Sequence, residues 1–136
     1  MLAEFFHNDK GKLPFFIDKV EDFPHLKIVR LRGDLDATTI AEIQAFTKKA
    51  KKKGIPLNKN LILDLRKVAR VDTAAIAQLL HIFSQLKQKK QRMGIINAPD
   101  ALKDMIGILK LDDVFLTFES QNKALSEIIA WSEDWK

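Results

Sequence analysis

The sequence predicts an α/β domain that holds a mixed, mostly parallel sheet with an antiparallel edge hairpin and about four helices. Two short segments, residues 15–20 and 26–32, are rich in β-branched and aromatic residues, and only a few polar residues separate them. Further along the chain, short apolar runs alternate with longer segments in which apolar residues recur at helical spacing. Parallel strands need such helical crossovers, whereas antiparallel neighbours need only a turn. The predicted element order is therefore ββαβαβαβα.

The chain opens with an arm and a predicted hairpin. Residues 1–12 mix aromatic, charged and glycine residues without a period, so we predict an irregular N-terminal arm followed by a single domain over residues 13–136. The first two strands should pair across a turn at residues 21–25. Gly33 is predicted to end the second strand, and the acidic loop Asp34-Leu35-Asp36 follows it.

The first helix is predicted after this loop, with either Asp36 or Thr38 capping the exposed amides of its first turn. A lysine run should finish the helix because cations favour its carbonyl end. The segment Gly54-Ile55-Pro56 then prevents continuation. The inward positions of this helix recur at helical spacing: Ile40, Ile43, Phe46 and Ala50.

The rest of the chain is organised around residues 61–83. A short run of β-type apolar residues over 60–64 predicts a central strand, and the charged segment over 64–70 is predicted to be a turn. A helix should then run from Asp72 to Gln88. Its apolar arc is about 160° wide, more than the roughly 100° that a helix on one sheet face needs, so either neighbouring elements crowd it or part of it binds another molecule. The arc consists of Ala75, Ile76, Leu79, Leu80, Ile82, Phe83 and Leu86.

The C-terminal third continues the alternation. Residues 93–96 give a weak strand signal, Pro99 fits the first turn of a helix, and residues 114–118 give the last strand. Ser120 is predicted to cap a terminal helix. Inward stripes are expected at Leu102, Met105, Ile106 and Leu109 in the third helix, and at Leu125, Ile128 and Ile129 in the last.

Composition and charge narrow the classes of function. The 136 residues include no cysteine, which excludes disulfide and thiolate chemistry. No apolar run approaches the roughly 20 residues that span a bilayer, so we expect a soluble, cytoplasmic protein without membrane insertion. The net charge is +5, but nine of the 23 basic residues lie in two runs at predicted helix ends, over 48–53 and 87–92. Neither run contains aromatic residues on which bases could stack, so no nucleic-acid partner is expected.

Enzymatic chemistry finds little support in the sequence. The three histidines, His7, His25 and His81, lack the spacing of metal ligands, and none is predicted to meet a nucleophile. The five glycines are scattered, so no phosphate-binding glycine loop exists. We expect no catalysis, no metal and no cofactor.

Acidic residues near predicted strand ends suggest one alternative, a phosphoaspartate receiver domain. Receivers resemble a pure βα alternation, with an acid pair after the first strand and a lysine that closes the end of the last strand. Here a hairpin comes first, and Glu119 and Ser120 follow the last strand, which disfavours that alternative. The acidic residues concerned are Asp34, Asp36, Asp64 and Asp72.

Two motifs, together with the element order, resemble the STAS domain, the fold of bacterial anti-sigma-factor antagonists. The first motif is Leu31-Arg32-Gly33-Asp34-Leu35-Asp36-Ala37-Thr38, and the second is Leu61-Ile62-Leu63-Asp64-Leu65 followed by Val71-Asp72-Thr73-Ala74-Ala75. The likeness spans residues 15–131, nearly the whole chain. It implies a STAS fold and a non-catalytic, regulatory role exercised on a protein partner.

In this family a partner kinase phosphorylates a serine or threonine in the turn that enters the second helix; the unmodified domain binds that kinase and frees a sigma factor. The usual turn resembles Asp-Ser-Ser/Thr-Gly. Counting from Asp72, this sequence has Thr73 at the first hydroxyl position, Ala74 at the second, and Ala75 in place of the glycine. The resemblance therefore implies Thr73 as the phosphorylation or contact site. The competing interpretation is that Asp72 is simply an N-cap and that the methyl group of Thr73 packs inward.

The turn is also similar to that of a second branch, the STAS subunit of bacterial phospholipid-transporting ABC complexes, where an Asp-Thr pair contacts the ATPase. A third interpretation is a nucleotide-sensing module, since some family members bind nucleotides near this turn. The expected partner is thus an anti-sigma factor or switch kinase, or a transporter ATPase. The resemblance implies these partner-binding residues: Gly33, Asp34, Asp36, Thr38, Asp72, Thr73, Ala74 and Ala75.

Overall fold

The fold was obtained as a computed structural model that describes residues 4–7, 16–36, 38–42 and 59–134. Its strands are β1 (Glu4–His7), β2 (Ile17–Asp22), β3 (Leu26–Leu35), β4 (Asn60–Val71), β5 (Met93–Ile96) and β6 (Leu116–Phe118). Its helices are α1, described over residues 38–42, then α2 (Thr73–Gln88), α3 (Asp100–Ile108) and α4 (Gln121–Asp134).

The strands form one six-stranded sheet in sequential order. Strand β2 pairs antiparallel with β3, and β3 to β6 run parallel to one another. The prediction of a mixed, mostly parallel sheet with an antiparallel hairpin is confirmed, as is the order ββαβαβαβα from β2 to α4.

The arm contains a strand that the sequence did not reveal. Strand β1 pairs antiparallel with β2, from Glu4 opposite Asp22 to His7 opposite Lys19. The prediction of an irregular arm is therefore wrong for residues 4–7. Four residues are too few for an alternating pattern to be recognised, and the pairing comes instead from the edge of β2, whose backbone groups need partners.

The hairpin turn is shorter than predicted. Strand β2 extends through Asp22, and the amide of Phe23 closes the turn by donating to the carbonyl of Leu26 at 2.8 Å. Glu21 belongs to the strand rather than to the turn because its side chain is buried beside Arg30.

Strands β3 and β4 are longer than predicted, and the prediction of a charged turn over residues 64–70 is wrong. Strand β4 is 12 residues long and remains paired with β3 as far as Leu35 and Val71. Gly33 does not end β3 but lies inside it with a φ of 83°, a left-handed value that favours glycine.

Two β-bulges explain why this half of β4 does not look like a strand in the sequence. The register shifts between Arg30 and Arg32 and again between Gly33 and Asp34, each time with one extra residue on β4. Each extra residue adds an exposed position between consecutive inward ones, and the alternation that identifies a half-buried strand is lost. The inward residues are instead three apart: Leu65, Val68 and Val71.

Helices cover both faces of the sheet, as a parallel sheet requires. Successive residues of the central strands point to opposite faces, so Val29 packs with one hydrophobic cluster and Ile28 with the other. The first cluster includes the inward residues of α2 and α3, and the second includes Ala124 of α4. We call these the α2 face and the α4 face of the sheet.

Helix α2 occupies the predicted range. At the margins of its apolar arc, Leu80 and Phe83 are partly buried and pack against the same cluster as the central residues. Crowding by the core therefore accounts for the width of the arc. The basic run over 87–92 lies at the end of this helix, as predicted. The run over 48–53 lies outside the described residues, as do the predicted inward positions of α1 after Ile40, namely Ile43, Phe46 and Ala50.

Three boundaries near the C-terminus differ from prediction. Helix α3 ends at Ile108, so Leu109 is its C-cap and is 47% exposed rather than inward. The chain turns away at Lys110, where φ is 57°. Pro99 is the N-cap of α3 and lies just outside its first turn. Strand β6 begins at Leu116, two residues later than predicted.

Helix α4 begins as predicted. The hydroxyl of Ser120 accepts a hydrogen bond from the amide of Lys123 at 3.2 Å. Leu125 is partly buried against the cluster on the α4 face. The side chains of Ile128 and Ile129 lie outside the described residues.

Candidate partner-binding edge

Parallel pairing of β3 and β4 brings together the two loops that the sequence singled out. Leu35 lies opposite Val71, and the amide of Asp72 donates to the carbonyl of Leu35 at 3.0 Å. The loop after β3 and the turn after β4 therefore leave the same edge of the sheet side by side. We call the described residues of 33–38 and 72–75 the Asp72 edge.

On the β3 side, Asp36 is the capping residue of α1. Its Oδ1 accepts from the amide of Thr39 at 2.9 Å, and its own amide donates to the hydroxyl of Thr39 at 2.9 Å. This reciprocal pair satisfies two backbone donors at the helix start. Thr39 was not among the predicted residues, although its position three residues after an acid was a usable capping signal. Asp34 and Thr38 are exposed at this edge.

On the β4 side, Asp72 is the N-cap of α2, as predicted. Its backbone is extended, and its Oδ1 accepts from the amide of Ala75 at 3.1 Å. The carboxylate thus orients the first turn of the helix and adds a negative charge where the helix dipole favours one.

The three residues after Asp72 divide between surface and core. Thr73 and Ala74 are exposed, whereas Ala75 is fully buried and belongs to the core cluster on the α2 face. The interpretation in which Thr73 packs inward is therefore wrong, and Ala75 is the residue whose methyl enters the core. Thr73 is therefore a surface residue on the first turn of α2. Among the described residues, no group of three or more potential metal ligands occurs.

A buried charged network that the sequence reasoning did not find lies on the α4 face. Arg30 donates to Oδ2 of Asp64 at 2.6 Å and to Oε1 of Glu21 at 2.7 Å and 3.0 Å. It also donates to Oε1 of Gln121, at the start of α4, at 2.8 Å. Asn97 donates to Oδ1 of Asp64 at 2.9 Å. The network therefore ties three strands to α4 and to the turn after β5.

The contacts of the network keep its central charges ionised. Burial acts to raise the pKa of Asp64. Hydrogen bonds from the Asn97 side chain, the Arg66 amide and the Arg30 side chain act to lower it, and so does the positive charge of Arg30. Together these contacts outweigh burial, so the pKa of Asp64 lies below its ordinary value. Burial acts to lower the pKa of Arg30, but hydrogen bonds and attraction to Glu21 and Asp64 raise it. Both carboxylate oxygens of Asp64 are engaged inside the protein, unlike those of a receiver's acceptor aspartate.

One signal in the sequence pointed to this network. Asp64 interrupts the apolar run that forms the central strand, and a buried carboxylate needs a partner. The partner, Arg30, sits in an alternating segment where a charged residue is usually exposed, so only the strand pairing identifies it.

The two histidine side chains that the structure describes, His25 and His81, lie on separate elements. His25 lies exposed in the β2–β3 turn and His81 lies exposed on α2, while the side chain of His7 is outside the described residues. Within the described ranges, none of the helices is both long enough and apolar enough to cross a membrane.

Several solved structures of other proteins have a similar fold. A putative anti-sigma factor antagonist from Thermotoga maritima has a TM-score of 0.69 at 13% identity, over 80% of this chain and 92% of that chain. The Bacillus cell fate determinant SpoIIAA in its phosphorylated form has a TM-score of 0.60 at 16% identity, over 80% and 96%. A sulfate transporter family protein from Wolinella succinogenes has a TM-score of 0.63 at 14% identity, over 79% and 88%. At such identities the structures share a fold, and no more follows from them.

The family itself is shown by sequence. A model of the STAS domain matches residues 18–124, which extend from β2 into α4 and include both loops of the Asp72 edge. With the matching element order and sheet, this identifies the chain as a member of the STAS domain family.

Proposed function

We propose that this protein is a non-catalytic regulatory module of the anti-sigma-factor antagonist type, which acts in the cytoplasm by binding a protein partner through the Asp72 edge. The observation that carries the proposal is the exposure of Thr73, the first residue of α2, beside the loop that follows β3. In this proposal Thr73 is the switch residue. Asp72 holds the helix start, and Asp34 and Thr38 offer polar groups to the partner.

Phosphorylation of Thr73 would alter the edge through charge. A phosphate adds about −1.5 to −2 charge at neutral pH, and the start of a helix tolerates that charge within the domain. At an interface the same charge must lose its water, and the neighbouring carboxylate of Asp72 already makes the turn negative. The modified edge should therefore release a partner that the unmodified edge binds.

Intact-mass spectrometry tests the switch. The protein is incubated with ATP and each candidate serine/threonine switch kinase of the source organism, and the addition of one phosphoryl group is followed by peptide mapping. The expected result is modification of wild type at Thr73 and no modification of Thr73→Val. Absence of phosphate from Thr73 with every such kinase would remove the switch from the proposal.

Two residues of the turn favour a second candidate function: Ala74, where the antagonist pattern has its second hydroxyl, and Ala75, where that pattern has glycine. Ala74 cannot be phosphorylated, and buried Ala75 fills the core where the antagonist pattern has a glycine. An Asp-Thr pair without the second hydroxyl and the glycine fits a permanent contact that needs no phosphorylation. The STAS subunit of phospholipid ABC transporters makes a contact of this kind with the ATPase. In that case Thr73 touches the ATPase and carries no phosphate.

Affinity capture with matched variants separates the two candidates. Wild type, Thr73→Glu and Ser84→Glu are used as baits in source-cell extract; Ser84 is exposed on the same helix, so its variant adds the same charge away from the turn. A switch kinase captured by wild type supports the first function, and an ABC ATPase supports the second. In both cases Thr73→Glu should weaken capture at least about tenfold, or about 1.4 kcal/mol, and Ser84→Glu should not. Equal capture by all three baits would contradict a role for the Asp72 edge.

A further inference from the structure

The polarity of the α4 face of the sheet changes along the direction of the parallel strands, from apolar to charged. Beneath α4 it is apolar, with Ile28 and Ile62 fully buried. Next along the strands comes the charged network centred on Arg30 and Asp64. Beyond Asp64, β4 continues with residues that are mostly exposed. The exposed residues of this continuation are Arg66, Lys67, Ala69 and Arg70.

The two bulges determine which way these residues point. Because Leu65, Val68 and Val71 contact the core on the α2 face, the exposed residues between them lie on the opposite face. Ion pairs across neighbouring strands support this placement. Asp18 of β2 lies 3.1 Å from Nζ of Lys67 and 3.5 Å from Nη1 of Arg32 of β3.

The strip formed by these groups is positively charged. Lys67 and Arg32 share the carboxylate of Asp18. The side chains of Arg66 and Arg70 make no ion pair or hydrogen bond with another residue in the described part of the chain. Asp34, opposite Arg70 in the register, is exposed and offsets only part of the charge. We call Arg32, Arg66, Lys67 and Arg70 the basic strip.

We propose that the basic strip is an interaction surface for an acidic, extended segment of a partner protein. The proposal deepens the proposed function and rests on it, because Arg70 lies two residues before Asp72 and the strip is continuous with the Asp72 edge. Arginine presents a planar fork of donors that matches a carboxylate, so Arg66 and Arg70 suit glutamate or aspartate side chains. Arg66 and Arg70 are four residues apart on a strand, so their Cα atoms lie at most about 13 Å from each other, a distance that an extended peptide can span.

Composition argues for a protein rather than a nucleic acid. The exposed residues of β4 beyond Asp64 are three cations and one alanine, so this stretch offers no aromatic ring on which a base could stack. The charge is also carried on a short strand segment, residues 66–70, which fits a peptide segment better than the long backbone of a duplex.

Nuclear magnetic resonance titration of the full chain tests the strip. The probe is a synthetic peptide of alternating glutamate and serine, added to isotope-labelled protein at low salt. Amide shifts should cluster over residues 66–70 and the facing part of β3, and they should diminish as salt is raised. Arg66→Glu/Arg70→Glu should weaken binding about tenfold. The matched control is Lys87→Glu/Lys103→Glu, which makes the same charge change on exposed residues of α2 and α3, on the opposite face.

Several results would overturn the proposal. One is a set of amide shifts that avoids residues 66–70. Another is equal weakening of peptide binding by both double variants, which would show a response to net charge alone. A third is binding of the strip to a single-stranded oligonucleotide, or to vesicles rich in phosphatidylserine, that is tighter than its binding to the peptide. The test is separate from that of the proposed function, because the peptide titration does not involve the Thr73 hydroxyl. If Thr73→Glu abolishes partner capture while the peptide avoids the strip, the proposed function stands and this proposal falls.

Discussion

Removal of the Asp64 carboxylate is expected to destabilise the fold by about 2–4 kcal/mol. Asp64 is 5% exposed and accepts from Arg30, Asn97 and the amide of Arg66 at 2.6, 2.9 and 3.0 Å. In Asp64→Ala, all three donors lose this acceptor, and Arg30 keeps only part of its charge compensation. Loss of one partner from a buried ion pair typically costs about 3–5 kcal/mol. The expected loss is smaller because the Arg30 side chain is 21% exposed and retains Glu21.

Urea denaturation followed by far-ultraviolet circular dichroism measures this loss at neutral and acidic pH. The pKa of Asp64 is lowered in the fold from its ordinary value of 3.8, so its carboxylate stabilises the protein above that value. That contribution is lost as the pH falls below 3.8 towards the lowered pKa, and the gap between wild type and Asp64→Ala should then narrow.

Two outcomes would refute this reasoning. One is a loss below about 1 kcal/mol at neutral pH, which is the size expected for an ordinary exposed ion pair. The other is a gap that stays constant as the pH falls below 3.8. Asp64→Asn is the matched control, since it keeps the shape and one acceptor oxygen but removes the charge, and it should fall between wild type and Asp64→Ala.

Three further predictions concern α2. Asp72→Ala removes the N-cap and should cost about 1 kcal/mol in thermal or urea unfolding, whereas Asp72→Asn should cost only a few tenths; equal losses would show that the cap is not the source. Ile76→Asp places a carboxylate at a site that is 2% exposed and should prevent folding as judged by circular dichroism, while Ile108→Asp, at a site 78% exposed, should change stability by less than about 0.5 kcal/mol. Ala74→Ser restores the second hydroxyl at an exposed position, so it should fold normally and gain a phosphate there from any kinase that accepts Thr73. If peptide mapping of this variant finds phosphate on Thr73 alone, the kinase reads only the first hydroxyl position.

The element order and the STAS resemblance were enough to predict that the two loops of the Asp72 edge belong to one surface. Alternation of strands and helices implies parallel pairing, and parallel pairing puts the ends of β3 and β4 at one edge. The capping role of Asp72 followed from its position before an apolar helical period. These features depend on near neighbours in the chain, which is why they are visible in the sequence.

The features that could not be predicted depend on contacts between distant residues. Strand β1 has no pattern of its own and exists because β2 offers an open edge. Arg30 is buried because Glu21, Asp64 and Gln121 converge on it from three other elements. Leu109 completes a helical stripe in the sequence, yet α3 ends one residue before it and leaves it largely exposed.

The bulged half of β4 links the fold to the proposed interface. If β4 had ended at Asp64, as the sequence suggested, the turn into α2 would lie beside the buried network and under the start of α4. The strand instead continues for seven residues to Val71, of which two are the bulge insertions. It therefore advances as far as the five residues from Arg30 to Leu35, which at about 3.3 Å per residue carries the turn roughly 16 Å further along the sheet. Strand β3 accompanies it to Leu35, so both loops of the Asp72 edge move together. The same bulges that keep Val68 in the core turn Arg66 and Arg70 outwards. The two β-bulges thus accompany both the exposed Asp72 edge and the basic strip next to it. Because these two surfaces adjoin, they should bind one partner.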